Sequence, residues 1–154
     1  MDAIVRSRWS LTELDLADNR LTERGARSLA EHSGLRGLTA LRLASNSLTD
    51  GGVVALSESR HLGALRELDL GAVQMGDAGA RALARSPNVA HLERLGLDEN
   101  EIGDDGARAL AESEHLGALR ELRIGNNPIG AGGLDALERA FADRVALDLE
   151  NLPI

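Results

Sequence analysis

One phrase recurs along this chain every 27 residues, and this periodicity limits the fold more than any other feature of the sequence. Its five copies share the frame LxxLxLxxNxLxxxGxxxLA, and the C-terminal VALDLENLPI repeats only its beginning. The copies begin at Leu11, Leu38, Leu65, Leu92 and Leu119. A fixed period of roughly 20–50 residues is typical of arrays in which each unit contacts only its neighbours. The chain is therefore predicted to fold as a stack of similar units.

Each copy predicts a strand, a turn and a helix. Leu65, Leu68 and Leu70 alternate with other residues, and such alternation predicts a short strand with one buried face. An asparagine follows in most copies, and its amide can hydrogen-bond turn backbone that would otherwise be buried without a partner. A shared glycine then precedes a leucine, which suits a helix packed closely on the strand layer. The asparagines are Asn19, Asn46, Asn100 and Asn127, and the glycines are Gly25, Gly52, Gly79, Gly106 and Gly133.

The aspartates before the shared glycines and the valine of the third repeat predict two local details of the structure. Three aspartates stand just before the shared glycines, and we predict that each caps the N-terminus of its own helix. They are Asp50, Asp77 and Asp104. The third copy has Val73 where its siblings have asparagine. We expect there a water or a shifted turn, or else a notch at Gly71 and Ala72 small enough for a partner's side chain to enter.

The shared frame resembles the leucine-rich repeat family over residues 11–154. The 27-residue period with a glycine-started helix is similar to the ribonuclease-inhibitor-like subtype, and the GARALA phrases look like those of bacterial members. The resemblance implies an α/β solenoid, a horseshoe with a parallel β-sheet on its concave face and helices on its convex face. Its six strands are expected to centre on Leu14, Leu41, Leu68, Leu95, Leu122 and Leu147.

The 154 residues are expected to form one domain with three parts. Residues 1–10 are predicted to be an N-terminal capping segment. Residues 11–143 hold five repeats of 27 residues, the last slightly shortened, and residues 144–154 form a partial sixth repeat or a C-terminal cap strand. Repeat arrays normally carry terminal caps with a polar outer face, so these short ends leave open that the array is truncated or designed.

The sequence predicts a protein that is not an enzyme and needs no cofactor or metal. It contains no cysteine, and no Ser, His and acid constellation can be assembled from positions that share a phase. The glycines of IGAGGLDAL imitate a phosphate-binding loop but follow the repeat frame, and DENEIGDD lacks the spacing of a known calcium loop. His61 and His115 share a phase two repeats apart, too far to share a metal, and all four histidines are expected to face solvent.

Charge and hydropathy exclude further classes of partner. A net charge of −8 and the absence of a basic stripe argue against nucleic acid, where phosphate contacts would dominate affinity. No run of 18 apolar residues exists, so no membrane partner is expected. MDAIVRSRWS lacks the long apolar centre of a signal peptide. We therefore expect a cytoplasmic protein, with a secreted effector as the alternative.

Strand residues between the leucines are expected to project from the concave face. No aromatic residue is among them, and Trp9 and Phe141 are expected to cover the ends of the apolar core. Arginine is then the best anchor for a partner. The partner-binding residues are predicted to be Arg42, Asp69, Arg94, Asp98 and Arg123. Alternatively, opposite charges such as those of Asp15, Arg42 and Asp69 neutralise each other across neighbouring strands.

The function implied by the resemblance is recognition of a protein. The leading hypothesis is a non-catalytic interaction or scaffold module that binds a partner of unknown identity through the concave face. Two alternatives are a regulatory accessory of an enzyme, such as a GTPase activator, and a truncated or designed array without a native partner. Self-association through the solenoid ends is a further option. The concave sheet offers about 400 Å², against about 800 Å² for one side of a standard interface.

Overall fold

The computed structural model describes residues 11–152, in which six short strands alternate with five helices. The strands are β1 (Glu13–Asp15), β2 (Ala40–Arg42), β3 (Glu67–Asp69), β4 (Arg94–Gly96), β5 (Glu121–Arg123) and β6 (Ala146–Asp148). The helices are α1 (Glu23–Glu31), α2 (Thr49–Ser57), α3 (Asp77–Arg85), α4 (Asp104–Ala111) and α5 (Ala131–Phe141). The predicted capping segment, residues 1–10, lies outside the described residues.

The strands form one parallel sheet in sequence order, β1-β2-β3-β4-β5-β6. The central leucines stand opposite one another in every pair, so the 27-residue period is also the register of the sheet. Each helix packs against the helices of the adjacent repeats. The predicted leucine-rich repeat solenoid and its strand centres are thereby confirmed.

The apolar core lies between the sheet and the helices. Leu41, Leu95 and Leu122 are 0–1% exposed, and most of the apolar residues of the turns and helices are buried with them. Phe141 is 1% exposed beside the last strand, as expected of a ring that covers the end of the core. Trp9 lies outside the described residues. Because each leucine packs on its counterparts in both neighbouring repeats, the core is continuous along the array.

From the second repeat onward, the shared glycines allow adjacent helices to pack closely. A Cβ added to Gly106 would lie 3.1 Å from Ala80 Cβ and 2.6 Å from an oxygen of Asp77, both in the preceding helix. Gly133 has the same relation to α4. A side chain at this position would therefore force adjacent helices apart. The predicted glycine-started helix is present, but its close neighbour is the previous helix.

The prediction that the aspartates cap their own helices was wrong. Asp77 Oδ1 accepts hydrogen bonds from the backbone N–H groups of Gly103 at 2.7 Å and Gly106 at 2.9 Å, at the start of the following helix α4. Asp50 and Asp104 do the same for α3 and α5. The first N–H groups of a helix have no partner within it, so each aspartate completes the helix of the next repeat.

The asparagines connect repeats in the opposite direction. Asn100 Nδ2 donates to Leu97 O at 3.0 Å in its own repeat and to Leu70 O at 2.8 Å in the preceding one. Its Oδ1 accepts from the backbone N–H groups of Val73 and Met75. Asn46 and Asn127 also bond across repeats, so the predicted role of these amides is confirmed.

The third repeat contains the shifted turn that was one of the expectations for it. Val73 is fully buried at the asparagine position. One residue before that position has a positive φ in every repeat, but Thr49 (57°) and Gln74 (63°) are additional left-handed residues. The second and third repeats join through Thr49 N, which donates to Val73 O at 2.9 Å. The first and second repeats join instead through Ser47 N, which donates to Leu21 O. The missing asparagine at Val73 is therefore accommodated by a change of backbone conformation in both the second and the third repeat.

We predict that Thr49→Gly stabilises the protein by about 0.5–1 kcal/mol. A β-branched residue in the left-handed region costs about 1–2 kcal/mol, and glycine removes this cost while losing part of the gain to unfolded-state entropy. Thr22 is the matched control, because it stands 27 residues earlier with an extended φ of −112°. Urea unfolding should show Thr22→Gly to be neutral or destabilising, and a destabilised Thr49→Gly variant would contradict the account.

Candidate functional site

The structure brings the five predicted partner-binding residues together on the concave face. Arg42, Asp69 and Arg123 end their strands, Arg94 begins β4, and Asp98 lies in the loop that follows β4. Four of the five line a shallow depression of about 250 Å³ over the middle of the sheet. Asp98 approaches it through Arg123. The parallel register places these side chains on adjacent strands, so their proximity follows from the repeat.

Glu67 holds two of the arginines, and it was not among the predicted residues. Its Oε1 lies 2.5 Å from a guanidinium nitrogen of Arg42, and its Oε2 lies 2.6 Å from one of Arg94. Only 17% of the Glu67 side chain is exposed. The hydrogen bond from Arg94, with that from Arg42, lowers the pKa of Glu67 against the opposing effect of burial. Glu67 therefore remains an anion between two cations.

The sequence contained a signal for this role. Glu67 is in register with Ala40 on one side and Arg94 on the other, so Arg94 lies directly opposite it and Arg42 diagonally. Long side chains can span both the direct separation from Glu67 to Arg94 and the diagonal separation from Glu67 to Arg42. Glu67 is one of the strand residues between the leucines, which were expected to project from the concave face. The sequence does not give the side-chain directions that favour its diagonal pairing with Arg42.

Arg123 reaches across a whole strand because Gly96 stands between it and its partner. Its guanidinium lies 3.0 Å from Asp69 on β3, two strands away, and 3.6 Å from Asp98. A Cβ at Gly96 would collide with the Arg123 guanidinium and lie 2.7 Å from Asp69 Oδ1. Gly96 therefore permits the bridge. It is the only position in its column of the central strands without a charged side chain.

Burial affects both members of the Arg123–Asp98 pair. It raises the pKa of Asp98, an effect that Arg123 opposes. Burial alone would lower the pKa of Arg123, but the charges of Asp69 and Asp98 raise it. Arg123 is therefore a permanent cation between two carboxylates, and 41% of its side chain is exposed. It can still donate hydrogen bonds to a partner.

The expectation of mutual neutralisation is met by different pairs from those suggested by the sequence. Arg42 pairs with Glu67 and, at 3.7 Å, with Glu13, rather than with Asp15 or Asp69. Asp15 and Asp69 each accept a hydrogen bond from the backbone N–H two residues later in their own turn. These short carboxylates are thus held by their own turns, and Asp69 uses its other oxygen for Arg123 rather than for Arg42.

The depression on the concave face lies beside Gly96 and not at the predicted notch of Gly71 and Ala72. Gly71 is buried, with its backbone N–H bonded to Asp69, and Ala72 is half-buried in the left-handed turn position. The depression instead has three arginines and three carboxylates in its charged lining, which includes Glu121. Its charge is balanced, and its opening is on the solvent side of β3, β4 and β5.

The last repeats make the concave face acidic beside this balanced centre. Glu121, Asp148 and Glu150 lie on or next to β5 and β6. Within residues 11–152 none of the three forms an ion pair, and Asp148 opposes Arg123 in the sheet register without pairing with it. The part of the face toward β6 therefore attracts positively charged groups.

The histidines do not all lie where the sequence predicts. His61 is 4% exposed, and its Nδ1 accepts a hydrogen bond from Arg36 Nε at 3.1 Å, so the expectation that it faces solvent was wrong. His115 is half-buried, and His32 and His91 are exposed.

Across the described part of the chain, no cluster of three His, Asp or Glu side chains could hold a metal ion. None of its helices is long and apolar enough to cross a membrane.

We predict that Gly96→Ala uncouples Arg123 from Asp69, because the added Cβ occupies the space through which the guanidinium passes. In the unmodified chain, a double-mutant cycle with Arg123→Ala and Asp69→Ala should give a coupling of about 0.2–1 kcal/mol in urea unfolding. The same cycle in the Gly96→Ala background should give a value near zero. Gly117→Ala is the control background, since its Cβ would meet nothing within 4 Å. An unchanged coupling in Gly96→Ala would refute the proposed role of Gly96.

Comparison with known proteins defines the family. The leucine-rich repeat family model matches residues 10–30, 36–57, 65–84, 90–111 and 119–137, which together are more than half of the chain. No curated protein matches it. Among solved structures, 59 chains match, including an internalin (inlF) from Listeria monocytogenes str. 4b F2365. That match has 20% identity and a TM-score of 0.46, and it covers 92% of this chain and 48% of the internalin chain, so this chain spans about half the length of that protein. On the evidence of its five matched segments, the chain belongs to the leucine-rich repeat family.

Proposed function

We propose that this protein is a non-catalytic interaction module that binds a protein partner through its concave face. Leucine-rich repeat proteins generally bind proteins, which supports the class of function. The observation that carries the proposal is the fixed charge arrangement around the depression. Glu67 orients Arg42 and Arg94, and Arg123 is held by Asp69 and Asp98.

The ion pairs prepare these arginines for binding. Ordering a flexible side chain at an interface costs about 0.5–1.5 kcal/mol, and a side chain already held by an ion pair loses less freedom. The Arg94 side chain remains 54% exposed and that of Arg123 41% exposed, so donors are left for a partner. An arginine has five N–H donors, and only some of them are used here.

The partner's surface should present both signs of charge. Carboxylates or backbone carbonyls of the partner would meet Arg94 and Arg123. Positively charged side chains would meet the acidic area formed by Glu121, Asp148 and Glu150. Because the sheet offers only about 400 Å², we expect an affinity around micromolar that falls as salt is added, unless loops or a second copy enlarge the interface.

The experiment begins with capture of a partner from the source cell by the whole protein, followed by purification of that partner and titration calorimetry. Arg94→Ala and Arg123→Ala should each weaken binding by roughly tenfold. Arg108→Ala and Arg139→Ala are matched controls, because both arginines form ion pairs on convex helices. They should leave affinity unchanged within about twofold.

Two outcomes would contradict this proposal. In one, the concave variants bind the purified partner as tightly as the original protein while the helix variants do not, which would move the site to the convex surface. In the other, all four variants bind equally, which would remove both surfaces from the interface. Circular dichroism of each variant shows whether a loss of binding arises from a loss of fold.

A further inference from the structure

A second charged surface lies away from the concave face, where the chain passes from each helix to the next strand. We call it the rim hollow, and it is formed by the connections before β2, β3 and β4. Its volume is about 510 Å³. Arg36, Arg60, Arg66, His61 and His91 line it together with Thr39, Gly63 and Ala64. Its lining contains three guanidiniums and two imidazoles but no carboxylate, in a chain whose net charge is −8.

Two of these arginines form no ion pair within residues 11–152. Arg36 donates from Nε to the neutral ring nitrogen Nδ1 of buried His61 at 3.1 Å. Among the described residues, neither Arg36 nor Arg60 forms an ion pair, whereas Arg66 pairs with Glu93 at 2.5 Å. The three arginines of the concave face have carboxylate partners, as do Arg27, Arg108 and Arg139 on the helices. Arg36 and Arg60 therefore leave two positive charges in the rim hollow without an ion-pair partner, whereas the charge of Arg66 is offset by Glu93.

The environment of His61 reflects the same two arginines. Burial, followed by the charges of Arg36 and Arg60, lowers the pKa of His61. His61 is thus held neutral as the acceptor for Arg36, and it fixes the position of that guanidinium. The small residues Gly63 and Ala64 also line the hollow and take up little of its space.

We propose that the rim hollow is a second binding site, which takes an acidic segment of a protein, with carboxylates as the groups recognised. Guanidiniums match carboxylates in shape and can donate two parallel hydrogen bonds to each. The hollow is broad and open rather than enclosed, so it fits several side chains of an extended segment. Three arginines and no carboxylate line the rim hollow, so its charge favours such a segment.

The test uses a fluorescein-labelled hexaglutamate peptide and fluorescence anisotropy with the whole chain at low salt. We expect saturable binding that the Arg36→Gln/Arg60→Gln double variant weakens by roughly tenfold. The Arg108→Gln/Arg139→Gln double variant makes the same change in net charge on convex helices and should bind as the original protein does. A hexaglutamine peptide should not bind. Arg60→Gln alone keeps the test valid if the Arg36 change disturbs folding, because Arg60 is exposed and its side chain forms no hydrogen bond within residues 11–152.

Several outcomes would overturn the proposal. Equal binding of hexaglutamate by the two double variants would show that the attraction is not localised at the rim hollow. Tighter binding of a single-stranded oligonucleotide through the same arginines would replace the acidic protein segment with a nucleic acid. The test of the concave face uses the purified partner with the Arg94 and Arg123 variants, whereas this test uses hexaglutamate with the Arg36 and Arg60 variants, so the two can fail separately.

Discussion

Each repeat leaves buried backbone groups that only a side chain of the adjacent repeat reaches. Asn100 extends to Leu70 in the preceding repeat, and Asp77 accepts the first N–H groups of the helix in the following one. A buried polar group without a partner costs about 1–3 kcal/mol, comparable with a large part of the stability of a domain of this size. These polar bonds and the shared leucine core therefore have the same consequence, namely that a repeat is stable only between neighbours.

The concave site depends on the uniform register that these bonds maintain. Since every strand stands opposite the same positions of the next, exposed residues can vary without disturbing the core, and opposite charges meet across strands. Glu67 and Gly96 show two results of that freedom. Glu67 joins Arg42 with Arg94, and Gly96 lets Arg123 pass over β4 to β3. The framework is repetitive, whereas the charge arrangement is particular to this chain.

Periodicity was sufficient to predict the solenoid, the strand centres and which residues share the concave face, because phase determines position in a repeat. It did not determine side-chain direction between repeats. The aspartates could not be assigned to the following helix, nor His61 to the interior, from phase alone. A serine series at the same 27-residue interval was also missed, in which Ser59, Ser86 and Ser113 each donate to a carbonyl of the preceding repeat. The ribonuclease-inhibitor-like subtype and bacterial origin stay predictions.

The direction of the aspartate contact gives the most direct test of dependence between repeats. Native-state hydrogen exchange of an Asp77→Ala variant should show reduced protection at Gly103 and Gly106, at the start of α4, by about 1–2 kcal/mol. The amides of α3, which carries the substitution, should keep most of their protection, because the Asp77 side chain accepts its hydrogen bonds from Gly103 and Gly106 instead. Loss of protection confined to α3, with Gly103 and Gly106 unchanged, would contradict the account.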